Sequence, residues 1–211
     1  NKGETPLYLA CRNRTFNILE LLVKHNVNLE ITNNFGETIL HFLAYRPIPG
    51  MTDFFIANGA NPDFANEQGE TPLHIAVTVN HNDVANSLIH KVTNINALDN
   101  DGLSPLLKAI KSNNPQIVRL LLEKGADPNV ADREGRTSLL SAVNLGDFYI
   151  FETIVNNSGT NLEAKDIYGR NALSYAVSDG SADMVKLLVD NKVYLYDVDN
   201  YGKTSLWYAI Q

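Results

Sequence analysis

The chain has 211 residues, a formal net charge of −7 at pH 7 and a single cysteine. An acidic balance argues against nucleic acid as a partner, since such partners need a basic footprint, and one cysteine cannot build an internal disulfide framework. No apolar run approaches the length of a membrane helix, and the N-terminus lacks the layout of a signal peptide, so a cytoplasmic protein with no direct membrane insertion is expected.

The first predicted element opens on "GETPLYLA" from Gly3, and close variants return as "GETILHFL" from Gly36 and "GETPLHIA" from Gly69. In the third copy Gly69 suits a tight turn with positive φ, Thr71 offers its hydroxyl to the free amides of a starting helix, and Pro72 fits the first helical position. Leu73, Ala76 and Val77 then mark one apolar face until Asn80 and His81 break the pattern. A helix that short is marginal alone in water and needs neighbours. They are supplied by repetition: the turn glycine recurs at Gly3, Gly36, Gly69, Gly102, Gly135, Gly169 and Gly202, in steps of 33 residues with one of 34. Copies also carry a second apolar run, as in "ILELLVKH" from Ile18, "VANSLIHK" from Val84, "IVRLLLEKGADPN" from Ile117 and "MVKLLVDN" from Met184, which predicts a second helix.

The copies differ in informative ways. In the second, Ile39 stands in the proline position and "YRPIPG" from Tyr45 replaces a short polar link, so Pro47 is expected to end the first helix early and give the loop an unusual shape. In the fourth, Asn114 can cap, Pro115 can start the second helix and Gly125 can end it. The extra residue of the fifth copy falls near "NNSGTN" (Asn156 to Asn161), where a bulged loop is expected. In the sixth, Asn171 replaces the capping threonine and should serve as well.

The octet pattern G-x-T-P-L-x-x-A and the ending seen in "LLEKGADPN" and, more loosely, "IANGANPD" make the chain resemble the ankyrin repeat family over essentially its whole length. The resemblance implies an all-α fold, an ankyrin repeat solenoid of about seven helix-turn-helix units with projecting β-hairpin-like fingers. Residues 1–211 then form a single array with units beginning near 1, 34, 67, 100, 133, 167 and 200, the last incomplete. The first copy starts two residues before its glycine and the last stops at "TSLWYAIQ", so the expectation is a fragment of a longer array.

The chain has no phosphate-binding loop, no H-E-x-x-H, no paired C-x-x-C and no G-x-S-x-G elbow, so no enzyme, catalytic residue, metal site or cofactor is assigned. His41 and His74 occupy the family's histidine position in the first helix, where the resemblance implies a ring bonded to backbone across the turn. His81 and His90 are too far apart for a metal pair on one helix face, and His25 is an isolated loop residue. Cys11 falls where the family has a small buried alanine and reads as a packed thiol. Asn13-Arg14-Thr15 and Asn156-Asn157-Ser158 match glycosylation sequons and are taken as chance matches.

Function is therefore sought on the surface that the repeats leave free. In the family, partners commonly bind the concave side, formed by the fingers and the ends of the first helices. Charge on the fingers changes sign along the chain, from Glu37, Glu67 and Glu70 in early copies to Arg133, Arg136, Arg170 and Lys203 in later ones. Tyrosine and arginine are common interface anchors, which singles out Tyr168, Arg170 and Tyr201, then Arg133, Arg136 and Lys203, with Phe35, Tyr45 and Arg46 as a second group. At ~10 Å per helical layer a seven-unit groove is some ~60 Å long, suited to a protein face or extended peptide carrying acidic and aromatic residues. The predicted function is a protein-interaction scaffold; the alternative is a regulatory or targeting segment of a larger enzyme, ion channel or secreted host-cell effector. Asn129 and Asn96 occupy the loop position that asparaginyl hydroxylases modify in similar repeats, with Leu121 and Leu88 eight residues upstream; Asp127 fits that preference and Asn94 does not.

Overall fold

The computed structural model describes residues 5–210 and shows thirteen helices among them. The turn at Gly3 lies outside the described residues. The chain divides into two compact units, Asn1–Asn100 and Asp101–Gln211.

The first unit contains α1 (Pro6–Arg12), α2 (Phe16–Lys24), α3 (Ile39–Tyr45), α4 (Met51–Ala57), α5 (Pro72–Thr78) and α6 (Asn82–Ile89). Helices of seven to nine residues survive because they are capped and stacked. Thr5 and Thr71 accept from the amides of Tyr8 and His74, and Pro6 and Pro72 occupy first-turn positions where no amide is needed. First helices α1, α3 and α5 pack in succession, while α2, α4 and α6 each back onto the first helix of their own copy. Leu7, Cys11, Leu19, Leu40, Leu43 and Phe55 form one core cluster, and burying each large apolar side chain contributes about 1.5–3 kcal/mol.

The second unit contains α7 (Pro105–Lys111), α8 (Pro115–Glu123), α9 (Ser138–Leu145), α10 (Phe148–Val155), α11 (Ala172–Ser178), α12 (Ala182–Asp190) and α13 (Ser205–Tyr208). Its first helices α7, α9, α11 and α13 stack in one row and its second helices α8, α10 and α12 in another, with Leu106, Leu139, Phe151 and Leu188 fully buried between them. Asn114 and Asn171 both cap as expected, each side-chain oxygen accepting the amide three residues on, at 3.2 and 3.0 Å. The connector after α10 runs two residues longer between helix and turn glycine than the one after α8, which places the extra residue in the loop.

The second copy corrects one expectation. α3 is as long as α1 and α5 and ends at the same place in the repeat, so Pro47 does not shorten it. At the position of Pro47 the other copies use a left-handed residue: Arg14, Asn80, Asn113, Gly146 and Gly180 all have positive φ. A proline ring fixes φ near −65° and bars that turn. Arg46 is pushed to φ −135°, the left-handed conformation moves to Gly50, and the second helix bears the cost, α4 starting two residues late.

Candidate functional site

Five of the fingers are each built from one residue three positions before the turn glycine. The side-chain oxygen of Asn33 accepts the amides of Phe35 and Glu37 at 2.9 and 3.1 Å, and Asn66 does the same for Gln68 and Glu70, both at 2.9 Å. In the second unit Asp132, Asp166 and Asp199 repeat this with the amides two and four residues on, at 2.8–3.0 Å. The same residue's own amide reaches the carbonyl four residues later, which closes a turn only a left-handed residue can complete. Two isolated bridges, Lys165 with Asn171 and Val198 with Thr204, are the hairpin character of the last fingers.

Successive fingers then pair through backbone. The Glu67 amide donates to the Phe35 carbonyl at 3.2 Å and the Asn100 amide to Gln68 at 2.9 Å; in the second unit Ile167 donates to Glu134 and Asn200 to Tyr168, at 3.1 and 3.0 Å. The approach leaves no room for a side chain: a Cβ on Gly69 would lie 2.8 Å from the Asn100 amide nitrogen, and one on Gly169 2.5 Å from the Asn200 side-chain oxygen.

Charge holds the fingers of the second unit. Asp166 receives Arg170 through two nitrogens, at 3.1 and 2.9 Å, and the Tyr175 hydroxyl at 2.6 Å. Burial works against ionisation of Asp132, Asp166 and Asp199, but the donated hydrogen bonds outweigh it and hold all three carboxyls below their usual range. Burial, then the bond to Asp166, pushes the Tyr175 phenol up.

Of the nine residues singled out from sequence as partner-binding, seven gather in two places. Tyr168, Arg170, Tyr201 and Lys203 line one cleft of about 420 Å³ together with Tyr208, all in the second unit. Tyr201 is 70% exposed and Tyr168 41%, and Lys203 sits 3.6 Å over the centre of the Trp207 ring. Arg170 is less free than its position in the sequence suggests: besides its pair with Asp166, it is stacked 4.8 Å from the Tyr168 ring centre and 4.5 Å from that of Tyr175. Phe35, Tyr45 and Arg46 line a larger cleft of about 1110 Å³ in the first unit, with Tyr8, Arg12 and Phe42. Arg133 pairs with Asp101 at 3.8 Å on the surface, and Arg136 pairs with Asp132 and Glu134 beside a cavity of its own.

Asn129 is exposed and tied at both ends of its amide, its nitrogen donating to the Gly159 carbonyl and its oxygen accepting from the Asn161 amide, both at 2.7 Å. Asn96 is half-buried, its backbone amide donating to the Asn94 side chain. In other copies a carboxylate stands at the same place and likewise accepts from the following repeat, Glu30 from Asn61, Asp63 from Thr93 and Asn94, and Glu163 from Tyr194. No single one of these residues marks the ladder in the sequence; its signal there is the recurrence of a carboxylate or an asparagine at the repeat period.

The histidines of α3 and α5 sit as the resemblance implied. The Thr38 amide donates to Nδ1 of His41 at 3.0 Å, which places the proton on Nε2, where it donates to the Glu70 carbonyl at 3.0 Å. Burial lowers the pKa of His41 to about 4, against the smaller upward pull of the Glu70 carbonyl. Nε2 of His74 likewise meets the Ala97 carbonyl. Cys11 is fully buried, and burial pushes its thiol up to about 12, so it packs as an apolar group.

Comparison with known proteins agrees with this geometry. A family model for ankyrin repeats in three copies matches residues 1–49, 48–132, 92–166 and 139–211. Among solved structures, the chain is similar to the ankyrin repeat domain of Bcl-3, described as a unique member of the IkappaB protein family, with 26% identity and a TM-score of 0.90 over 99% of this chain and 95% of that one. Among curated proteins none matches in sequence.

Proposed function

The chain belongs to the ankyrin repeat family, a family of protein-interaction modules, and on that premise we propose that it is a scaffold that binds an extended protein segment along its fingers. The observation that carries the reading is the 420 Å³ cleft of the second unit, where two exposed tyrosines, Lys203 and the stacked Arg170 converge. Aromatic rings with cations between them suit a segment rich in acidic and aromatic residues: carboxylates meet Lys203 and the outer edge of Arg170, and rings stack on Tyr168 and Tyr201. We take residues 1–211 as one array, because the repeat period continues in sequence through the boundary of the two units. No catalytic role is assigned, and the buried free thiol is compatible with the cytoplasm in which we place the protein.

The test is a selection from a random peptide library with the parent protein as bait. The counter-bait is a Tyr168→Ala, Tyr201→Ala, Lys203→Ala variant whose helicity matches the parent's; Arg170 is left in place because it braces its own finger. Acidic, aromatic peptides held by the parent and released by the variant are expected. Peptides retained equally by both overturn the reading.

A further inference from the structure

The finger carboxylates of the second unit have two oxygens, and only one is spent on the turn. In two copies the other receives a tyrosine nine residues on: the Tyr175 hydroxyl donates to Oδ2 of Asp166, and that of Tyr208 to Oδ2 of Asp199, both at 2.6 Å. The Tyr175 ring lies under the Arg170 guanidinium, 4.5 Å from ring centre to carbon. The fifth copy repeats the carboxylate and the arginine, as Asp132 and Arg136, but at the tyrosine position it has Ser141.

What is left is a cavity of about 280 Å³, lined by Lys111, Arg136, Ser141, Asn144 and Leu145. A cavity of about 150 Å³ suffices to hold a benzene ring. The Ser141 hydroxyl is buried and has no hydrogen-bond partner. Oδ2 of Asp132 is met by Arg136 at 3.2 Å and by the half-exposed Lys111 ammonium at 3.5 Å. The place of the ring is therefore open, while the carboxylate and guanidinium that hold such a ring in the next copy are both present.

We propose that this cavity receives the tyrosine side chain of a bound peptide. The ring takes the place that Tyr175 fills in its own copy, its face under Arg136, and its hydroxyl donates to Oδ2 of Asp132 as Lys111 swings outward. A phenylalanine fills the space and leaves the carboxylate without its donor. A phosphotyrosine brings its charge against Asp132 and Glu134, which already balance Lys111 and Arg136. The inference rests on the reading that the fingers of this unit bind a peptide, and it names one side chain of that peptide.

Isotope-labelled protein titrated with N-acetyl-tyrosinamide is the test, followed by the backbone amide resonances. Saturable shifts centred on Arg136, Ser141 and Asn144 are expected, with N-acetyl-phenylalaninamide about tenfold weaker for want of a hydrogen bond to a charged acceptor, and the phosphotyrosine analogue weaker again. Ser141→Tyr should supply the ring from within and abolish the shifts, whereas Ser141→Ala keeps them. A nuclear Overhauser effect between the ligand ring and the Leu145 methyls in the parent protein checks the placement without any variant. Shifts absent from this cavity, equal binding of the phenylalanine analogue, or unchanged binding to folded Ser141→Tyr overturns the proposal. If the amide fails here while library peptides still depend on Tyr168, Tyr201 and Lys203, only the cavity assignment falls. If it binds while those peptides ignore the three residues, the cavity stands and the cleft reading falls.

Discussion

Acidification should weaken the first unit well above the carboxylate range, and His41 is the reason. Its ring is fully buried, neutral and bonded at both nitrogens, with a pKa of about 4 against 6.5 for the unconstrained side chain. Between those values the unfolded chain takes up a proton that the folded unit refuses. Stability is complete above about 6.5 and is lost as pH falls toward 4. At about 1.36 kcal/mol per pH unit over roughly 2.5 units, the loss amounts to about 3 kcal/mol. Urea unfolding followed by circular dichroism at a series of pH values measures it. His41→Gln provides the control, because glutamine at this helix position can still accept from the capping residue's amide and does not titrate. The variant should be less stable near neutrality yet show a flatter dependence between pH 6.5 and 4. An equal slope in parent and variant would refute the reasoning.

Gly169→Ala should cost more than Gly202→Ala although both glycines have positive φ, at +76° and +72°. The second substitution meets only the backbone penalty of about 1–2 kcal/mol, whereas the first also drives a methyl group into Asn200, adding about 1–3 kcal/mol in thermal unfolding. Tyr175→Phe should lower the stability of the second unit by about 1 kcal/mol, a hydrogen bond to a charged acceptor discounted for partial exposure. Because Asp132, Asp166 and Asp199 are held below their usual range, their contribution is complete above about pH 4 and disappears as pH falls through the lowered values; the Phe variant should lose part of that acid dependence. Co-expression with an asparaginyl hydroxylase should add one oxygen atom to the peptide containing Asn129 and none to that containing Asn96; an unmodified Asn129 in peptide mass analysis refutes the assignment.

The fold was legible because its punctuation is chemical: glycine, threonine and proline in fixed order declare a turn, a cap and a first turn of helix, and the period says that the units stack. Pro47 departs from the sequence expectation because a proline breaks a helix on either side, and spacing alone does not say which. The constraint lay in the loop, which needs positive φ at that place, and the helix after it gave way. The clustering of Tyr168, Arg170, Tyr201 and Lys203 was readable from finger positions alone. The division of labour within the cluster was not, since whether Arg170 faces outward or braces Asp166 depends on side-chain geometry that spacing does not encode. The finger aspartates escaped notice for a related reason: they look like ordinary loop carboxylates until their two oxygens are followed to different partners.

The finger-to-finger bonds join backbone amide to backbone carbonyl, and Asn100 and Asn200 reinforce them with side-chain amides that donate to the Glu67 and Ile167 carbonyls at 2.9 and 3.0 Å. Phe35, Gln68, Glu134 and Tyr168 each lend only a carbonyl to the ladder. Any amino acid can supply that group, so the lettering a visitor reads is decoupled from the spine that holds the page open. On the proposed reading, a replacement at one of these four tips changes what is recognised while the ladder stays as it was. Exchanges at Phe35, Gln68, Glu134 and Tyr168 can then be made one at a time without altering the hydrogen bonds between fingers.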